Sequence, residues 1–144
     1  MEKKEEMRIL IDTNILFSAV LSSNGIPRKA FNKAVSLPNV GIISYQSLEE
    51  LVTSFCTKFP TKTHLLESFL VATLTSIELI TTPKDKLDNE DAIRDIDDRT
   101  IYRAAVKAKA DIILTGDKDL LESGITSPQI MTAREFLEIN DDIH

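Results

Sequence analysis

Short apolar runs that stop abruptly at polar residues constrain this chain more than any other feature. Arg8-Ile-Leu-Ile11 stops at Asp12, Val40-Gly-Ile-Ile43 stops at Ser44, and Asp111-Ile-Ile-Leu-Thr115 runs into Gly116-Asp117. Ile77-Glu-Leu-Ile80 and a stretch around Gln129-Ile-Met131 are further strand candidates. Runs this short and this apolar suit strands buried on both faces of a sheet. Helical patterns fill the intervals. Asp12-Thr-Asn14 offers cap chemistry for a helix through Ile15-Leu-Phe-Ser-Ala-Val-Leu21. Pro27 suits the first turn of a second helix ending near Ser36.

Leu48, Leu51, Val52 and Phe55 recur at helical spacing within 44–55, and Leu65, Phe69, Ala72 and Ser76 mark another helix beyond Pro60. Residues 84–98 read as a solvated acidic loop, followed by a stripe of Ile101, Ala104, Ala105 and Ala108. A short helix at Leu120-Leu121 and a last one from Ala133 to Ile139 complete the alternation. Strand and helix in alternation predict an α/β fold, with a parallel sheet covered on both faces.

At 144 residues the chain suits one domain. The expected boundaries are an N-terminal extension at 1–6, the domain at 7–139 and a tail at 140–144. The lone Cys56 precludes an internal disulfide and is expected in the core as a small hydrophobe. With His64 and His144 the only histidines, a His- or Cys-based metal site lacks material. No apolar run nears the roughly 18 residues of a membrane span. The start Met1-Glu-Lys-Lys-Glu-Glu is too acidic for a secretion signal, so a cytoplasmic chain is expected. The net charge of −6 argues against nonspecific nucleic-acid binding. Yet residues 1–60 hold seven basic and six acidic residues, whereas 61–144 hold ten and 17.

Ligands of parallel α/β sheets bind outside the carboxyl ends of the strands. Four acids map to that edge. Asp12 follows the first strand, Glu50 lies early in the helix after the second, and Asp117 follows the strand at 112–115. Asp98 starts the helix leading into that same strand, and its spacing to Ile101 and Ala105 turns it toward the buried face. Each has a plainer role as a cap, a turn residue or a solvated side chain. Together they would repel one another unless a cation sat among them, and oxygen ligands alone suit Mg²⁺ or Mn²⁺. The acidic loop lacks the central glycine of a calcium EF-hand.

In this order, Leu10-Ile-Asp-Thr-Asn-Ile-Leu16, Gly25-Ile-Pro27, Ile43-Ser-Tyr-Gln-Ser-Leu-Glu-Glu-Leu51, Arg94-Asp-Ile-Asp-Asp98 and Leu114-Thr-Gly-Asp-Lys-Asp-Leu120 resemble the PIN domain family across about residues 7–138. The likeness is greatest to its bacterial branch of toxin components related to VapC. The resemblance implies a three-layer α/β/α sandwich with a mostly parallel sheet of about five strands. It also implies an Mg²⁺- or Mn²⁺-dependent endoribonuclease, with Asp12, Glu50, Asp98 and Asp117 as the catalytic, metal-holding acids. Asn14 and Thr115 match supporting polar positions, and Asp119 a less constant acidic one. The stretch before the third acid is one residue short of the family pattern, which leaves Asp97 a competitor for Asp98. A homodimer and an antitoxin protein are the partners this implies, with RNA as substrate. Arg28, Lys29 and Lys33 are the expected RNA-contact cluster, while Arg99, Arg103 and Lys107 form a stripe read first as a solvated face. Two other readings compete: a non-catalytic PIN-like interaction module, and a phosphoacceptor signalling domain using Lys118. The latter needs paired acids after the first strand, where only Asp12 stands.

Overall fold

The computed structural model describes residues 6–139, and among these five parallel strands form one sheet. The expectations for 1–5 and for the tail at 140–144, His144 included, lie outside the described residues. The strands are β1 (Arg8–Ile11), β2 (Val40–Ser44), β3 (Ile77–Ile80), β4 (Ile112–Leu114) and β5 (Gln129–Met131), in spatial order β3-β2-β1-β4-β5. The helices are α1 (Thr13–Leu21), α2 (Ile26–Val35), α3 (Tyr45–Lys58), α4 (Thr63–Thr73), α5 (Ile96–Lys107), α6 (Lys118–Leu121) and α7 (Ala133–Glu138). None of them is long and apolar enough to cross a membrane.

Side chains alternate across a strand, and β1 divides its own accordingly. Ile9 and Ile11 join one core with Leu16, Phe31, Phe55, Phe69 and Phe136, beneath α1, α2, α3, α4 and α7. Leu10 joins the other with Ile42, Ile113 and the Ile101, Ala104, Ala105 and Ala108 stripe of α5. The three-layer α/β/α sandwich is therefore present. Gly41 lets α2 reach the start of β2, since a Cβ there would meet Val35 Cγ1 at 2.7 Å.

The chain reverses its direction of sheet growth at β1, which has β2 on one side and β4 on the other. That is the topological switch point, where a crevice opens at the carboxyl edge. The register pairs Ile11 with Leu114. The ladder runs one step further, with Asp12 N–H donating to the Leu114 carbonyl at 3.0 Å, so Asp12 and Thr115 emerge side by side.

Several local expectations are corrected. The buried stripe of α4 is Leu66 and Phe69, with Leu65 and Leu70 packed beside it, while Ala72 and Ser76 are exposed. The helix packs on α1 and α3 at the outside of the molecule, and a 3-10 turn at 74–76 changes its phase before Ser76. Val52 is exposed, and so is Cys56, which follows Phe55 and falls on the outer side of α3. The 84–98 loop ends earlier than expected, because α5 starts at Ile96 with Asp95 as its cap. Nor is that loop wholly solvated: Glu90 is fully buried, and Arg103 binds it through Nε at 3.0 Å and a terminal nitrogen at 2.7 Å.

Candidate metal centre

Asp12 ends β1 and caps α1, its Oδ1 accepting from Thr13 N–H at 2.7 Å. Only 6% of it is exposed. Its Oδ2 accepts from the Thr115 hydroxyl at 2.7 Å and from Asn14 Nδ2 at 3.2 Å. The Thr115 oxygen in turn accepts from Asp117 N–H at 3.0 Å, and Asn14 Oδ1 accepts from Gly116 N–H at 3.1 Å. One buried hydroxyl thus ties together the acids that end β1 and follow β4. Burial pushes the Asp12 carboxyl up to about 6, helped by the charges of Asp117 and Glu50 and opposed by the Thr115 and Thr13 hydrogen bonds.

Asp98 approaches from the other side of the sheet. It is the third residue of α5, whose first turn is fixed when Asp95 Oδ1 accepts from Asp97 N–H at 2.9 Å. Asp98 Oδ2 is buried with no hydrogen-bond partner. Desolvation raises its carboxyl to about 7, followed by its contact with Asp117 and the charges of Asp12 and Asp95. Ionised carboxylates offer only acceptors, so a cation at this contact would offset the charge of both. Glu50, exposed on the second turn of α3, lines a cavity of about 320 Å³ with Asp12, Asp98, Ser47 and Gln46.

The structure therefore brings Asp12, Asp98 and Asp117 into electrostatic reach of one another and Glu50 into reach of Asp12, with Thr115 and Asn14 holding Asp12 and Thr115 accepting from Asp117 N–H. Asp97 also borders the cavity, but it is exposed and Asp98 is the residue that meets Asp117. Asp117 caps α6, its Oδ1 accepting from Asp119 N–H at 2.8 Å, and the Asp119 side chain pairs with Arg94 at 2.8 Å. Asp95, which sequence reasoning did not single out, brings a carboxylate oxygen within 4.8 Å of oxygens from both Asp98 and Asp119. Its signal was present in the Arg94-Asp-Ile-Asp-Asp98 stretch, where any of three aspartates can cap.

The basic residues are placed differently. Arg28 Nε donates to the Ala19 carbonyl at 2.8 Å, and its guanidinium lies 5.0 Å from the Phe69 ring centroid. Lys33 Nζ donates to the Phe136 and Ile139 carbonyls at 2.7 and 3.1 Å, at the end of α7 remote from the acids. Lys29 is exposed. Arg99 donates to the Ile93 carbonyl at 2.8 Å and Arg103 binds Glu90, so of that stripe only Lys107 is a solvated side chain.

The PIN domain family model matches residues 8–119. An uncharacterized protein of Methanocaldococcus jannaschii is 30% identical over 143 residues, covering 98% of this chain and 87% of that one. Among solved structures, VapBC2 from Rickettsia felis bound to a DNA fragment from its promoter matches with a TM-score of 0.64 at 18% identity, over 88% of this chain and 98% of the other. The Mycobacterium tuberculosis Sarcin-Ricin loop cleaving toxin VapC20 matches with a TM-score of 0.56 at 16% identity, over 82% and 96%. The sheet order, the acids at its carboxyl edge and the family match over most of the chain agree: this chain belongs to the PIN domain family.

Proposed function

We propose that the chain is an endoribonuclease that hydrolyses RNA phosphodiester bonds with Mg²⁺ or Mn²⁺ held by Asp12, Glu50, Asp98 and Asp117. The observation that carries this reading is the contact of Asp98 with Asp117 at a point where Asp98 Oδ2 is buried without a partner. The donor set fits a hard divalent cation, since it is all carboxylate oxygen. A bound cation supplies a water of lowered pKa and offsets the charge that develops on the phosphoryl oxygens. Thr115 and Asn14 hold Asp12 in one orientation, and Thr115 fixes the backbone that presents Asp117. Asp95 anchors the first turn of α5 and so sets where Asp98 enters. No serine or cysteine nucleophile is needed, and Cys56 is exposed on α3.

The biological role that suits this chemistry is that of the toxin in a toxin–antitoxin pair, working in the cytoplasm as a homodimer restrained by an antitoxin protein. The VapBC2 and VapC20 neighbours support that role. The non-catalytic reading is disfavoured because all four acids are present and Asp12, Glu50 and Asp98 line one cavity. The phosphoacceptor reading leaves Glu50 without a task.

The test is cleavage of an RNA panel by the purified chain in Mg²⁺ or Mn²⁺, with and without chelator. Cleavage that needs the metal and is lost in Asp12→Asn is expected. RNA left intact with either metal would refute the nuclease. Growth arrest on expression, relieved by Asp12→Asn, tests the toxin role separately.

A further inference from the structure

Among the described residues Glu90 is the most deeply buried acid, and the proposed hydrolysis has no task for it. Its partner is on α5. Arg103 Nε and Nη2 grip the two Glu90 oxygens at 3.0 and 2.7 Å, and Arg103 Nη1 donates to the Lys84 carbonyl at 3.4 Å. A buried ion pair is a weak source of stability, because apolar side chains of similar volume often do as well. What distinguishes this pair is its place. It closes the chain over 13 positions, and inside that span Arg99 Nε closes it over six at the Ile93 carbonyl. Inside that again, Asp95 Oδ1 closes it over two at the Asp97 N–H. The three ties are nested, and the turn they enclose is the one from which Asp98 enters the acid-lined cavity.

We infer that the Glu90–Arg103 pair is a positioning device for Asp98, fixing where α5 begins and so where the metal-facing carboxylate stands. The inference rests on the metal-dependent reading and adds to it two residues that do not line the cavity. Local sequence leaves the start of α5 open. Asp95, Asp97 and Asp98 are all of a type that caps well, and each choice would shift the first turn. A helix capped by Asp98 would commit that carboxylate to its own backbone N–H groups, at the expense of any cation. With Glu90 tied to α5 and Ile93 fully buried in the core beside Ile101, the short run to Asp95 has little slack. Asp95 arrives as the cap, and Asp98 is left to face the cavity.

The test separates placement from stability. Glu90→Met with Arg103→Met, in the full-length chain, exchanges the pair for apolar side chains of similar volume. Its Tm in chelator should stand near or above that of wild type. Calorimetric titration with Mg²⁺ should nevertheless show affinity lower by roughly tenfold or more, the loss that an outer partner of a metal site brings. In chelator, amide hydrogen exchange should quicken at Asp97 and Asp98, whose N–H groups donate to Asp95, and stay as it was at Ile113 in the sheet. Should the double variant not fold, Arg103→Lys takes its place, keeping the charge but offering a point contact instead of a fork. It should lose part of the Mg²⁺ affinity and quicken the same two amides. Affinity or exchange at Asp97 and Asp98 equal to wild type in the folded variant would overturn the inference, as would exchange that quickens equally at Ile113 or a wild type that binds no Mg²⁺. A wild type that binds Mg²⁺ and shows the expected shifts, yet leaves RNA intact, loses only the nuclease reading.

Discussion

Replacing Asp12 by Asn should stabilise the metal-free protein while abolishing its activity. Burial and neighbouring charge raise the Asp12 carboxyl from 3.8 to about 6. At 1.36 kcal/mol per unit, holding it ionised in the fold costs about 3 kcal/mol. A native group with a raised pKa holds its proton more firmly than the unfolded chain does, so stability falls as pH rises. The fall begins near the unfolded value, has reached about 1 kcal/mol by about pH 4.5 and is complete, at about 3 kcal/mol, above about pH 7. Asp98, raised to about 7, extends the decline upward in both proteins; being only partly buried, it adds less than its shift implies.

The Asn side chain removes the charge but not without loss. With its oxygen toward Thr115 and Asn14, its NH2 faces the Thr13 N–H; turned round, the NH2 faces the Asn14 donor. One mismatched hydrogen bond costs about 1 kcal/mol. A net gain of about 1–2 kcal/mol remains, and at about 2–4 °C per kcal/mol for this chain length Tm should rise by about 2–8 °C. The assay is thermal unfolding in chelator at about pH 8 and again at about pH 4.5, where the gain should vanish. Millimolar Mg²⁺ should then stabilise wild type much more than Asp12→Asn, because a ligand stabilises only the state that binds it. An Asp12→Asn protein that melts below wild type in chelator at about pH 8 would refute the crowded-carboxylate argument.

Asp98→Asn should lower cleavage by more than about 100-fold, beyond the roughly 10–100-fold that loss of an outer partner of a metal site produces. Asp97→Asn should cost far less, in the same assay and at similar Tm. Thr115→Ala should destabilise by about 1–3 kcal/mol, measured in urea, because it leaves the Asp12 carboxylate short of a buried donor. The same variant should also weaken Mg²⁺ binding in a calorimetric titration. Arg103→Ala should lower Tm by stranding the buried Glu90 carboxylate, and adding Glu90→Gln should recover part of the loss. Neutralising Arg28, Lys29 and Lys33 together should lower Tm through the lost Ala19, Phe136 and Ile139 contacts, and leave the salt dependence of RNA binding nearly unchanged.

The strands and the acids were legible in the sequence for the same reason. A parallel strand buried on both faces writes a short apolar run, and the residue that ends it stands at the carboxyl edge. Asp12 and Asp117 are identified by position alone once Arg8-Ile-Leu-Ile11 and Asp111-Ile-Ile-Leu-Thr115 are read as neighbours. Glu50 and Asp98 need helical phase as well, and local sequence does not always fix the phase. On α4, Leu65, Leu66, Phe69 and Leu70 offer two adjacent stripes. Contact with α1 and α3 chose between them, and no local pattern encodes that contact. Residue type favours the core for Cys56, yet Phe55 beside it takes the buried face of α3.

Charged residues misled reading for a different reason, since their partners are distant or are backbone. Glu90 sits in an acidic stretch, and only Arg103, on the helix that follows, shows why it is buried. Lys33 and Arg28 serve carbonyls of α7 and α1, and a carbonyl has no letter in a sequence. The buried pair bears on the site itself. Ile93 is fully buried and Arg99 Nε grips its carbonyl, while Arg103 holds Glu90, so two residues of α5 clamp the incoming loop. The clamp sets where the loop ends, and Asp95 rather than Asp98 becomes the cap. Freed from capping, Asp98 sits within the first turn, where its carboxylate meets Asp117 instead of spending itself on backbone N–H groups. Which of these carboxylates meets Asp117 is thus set by an ion pair outside the cleft. A distant pair of this kind is not written in the motif, which by itself leaves Asp97 and Asp98 open.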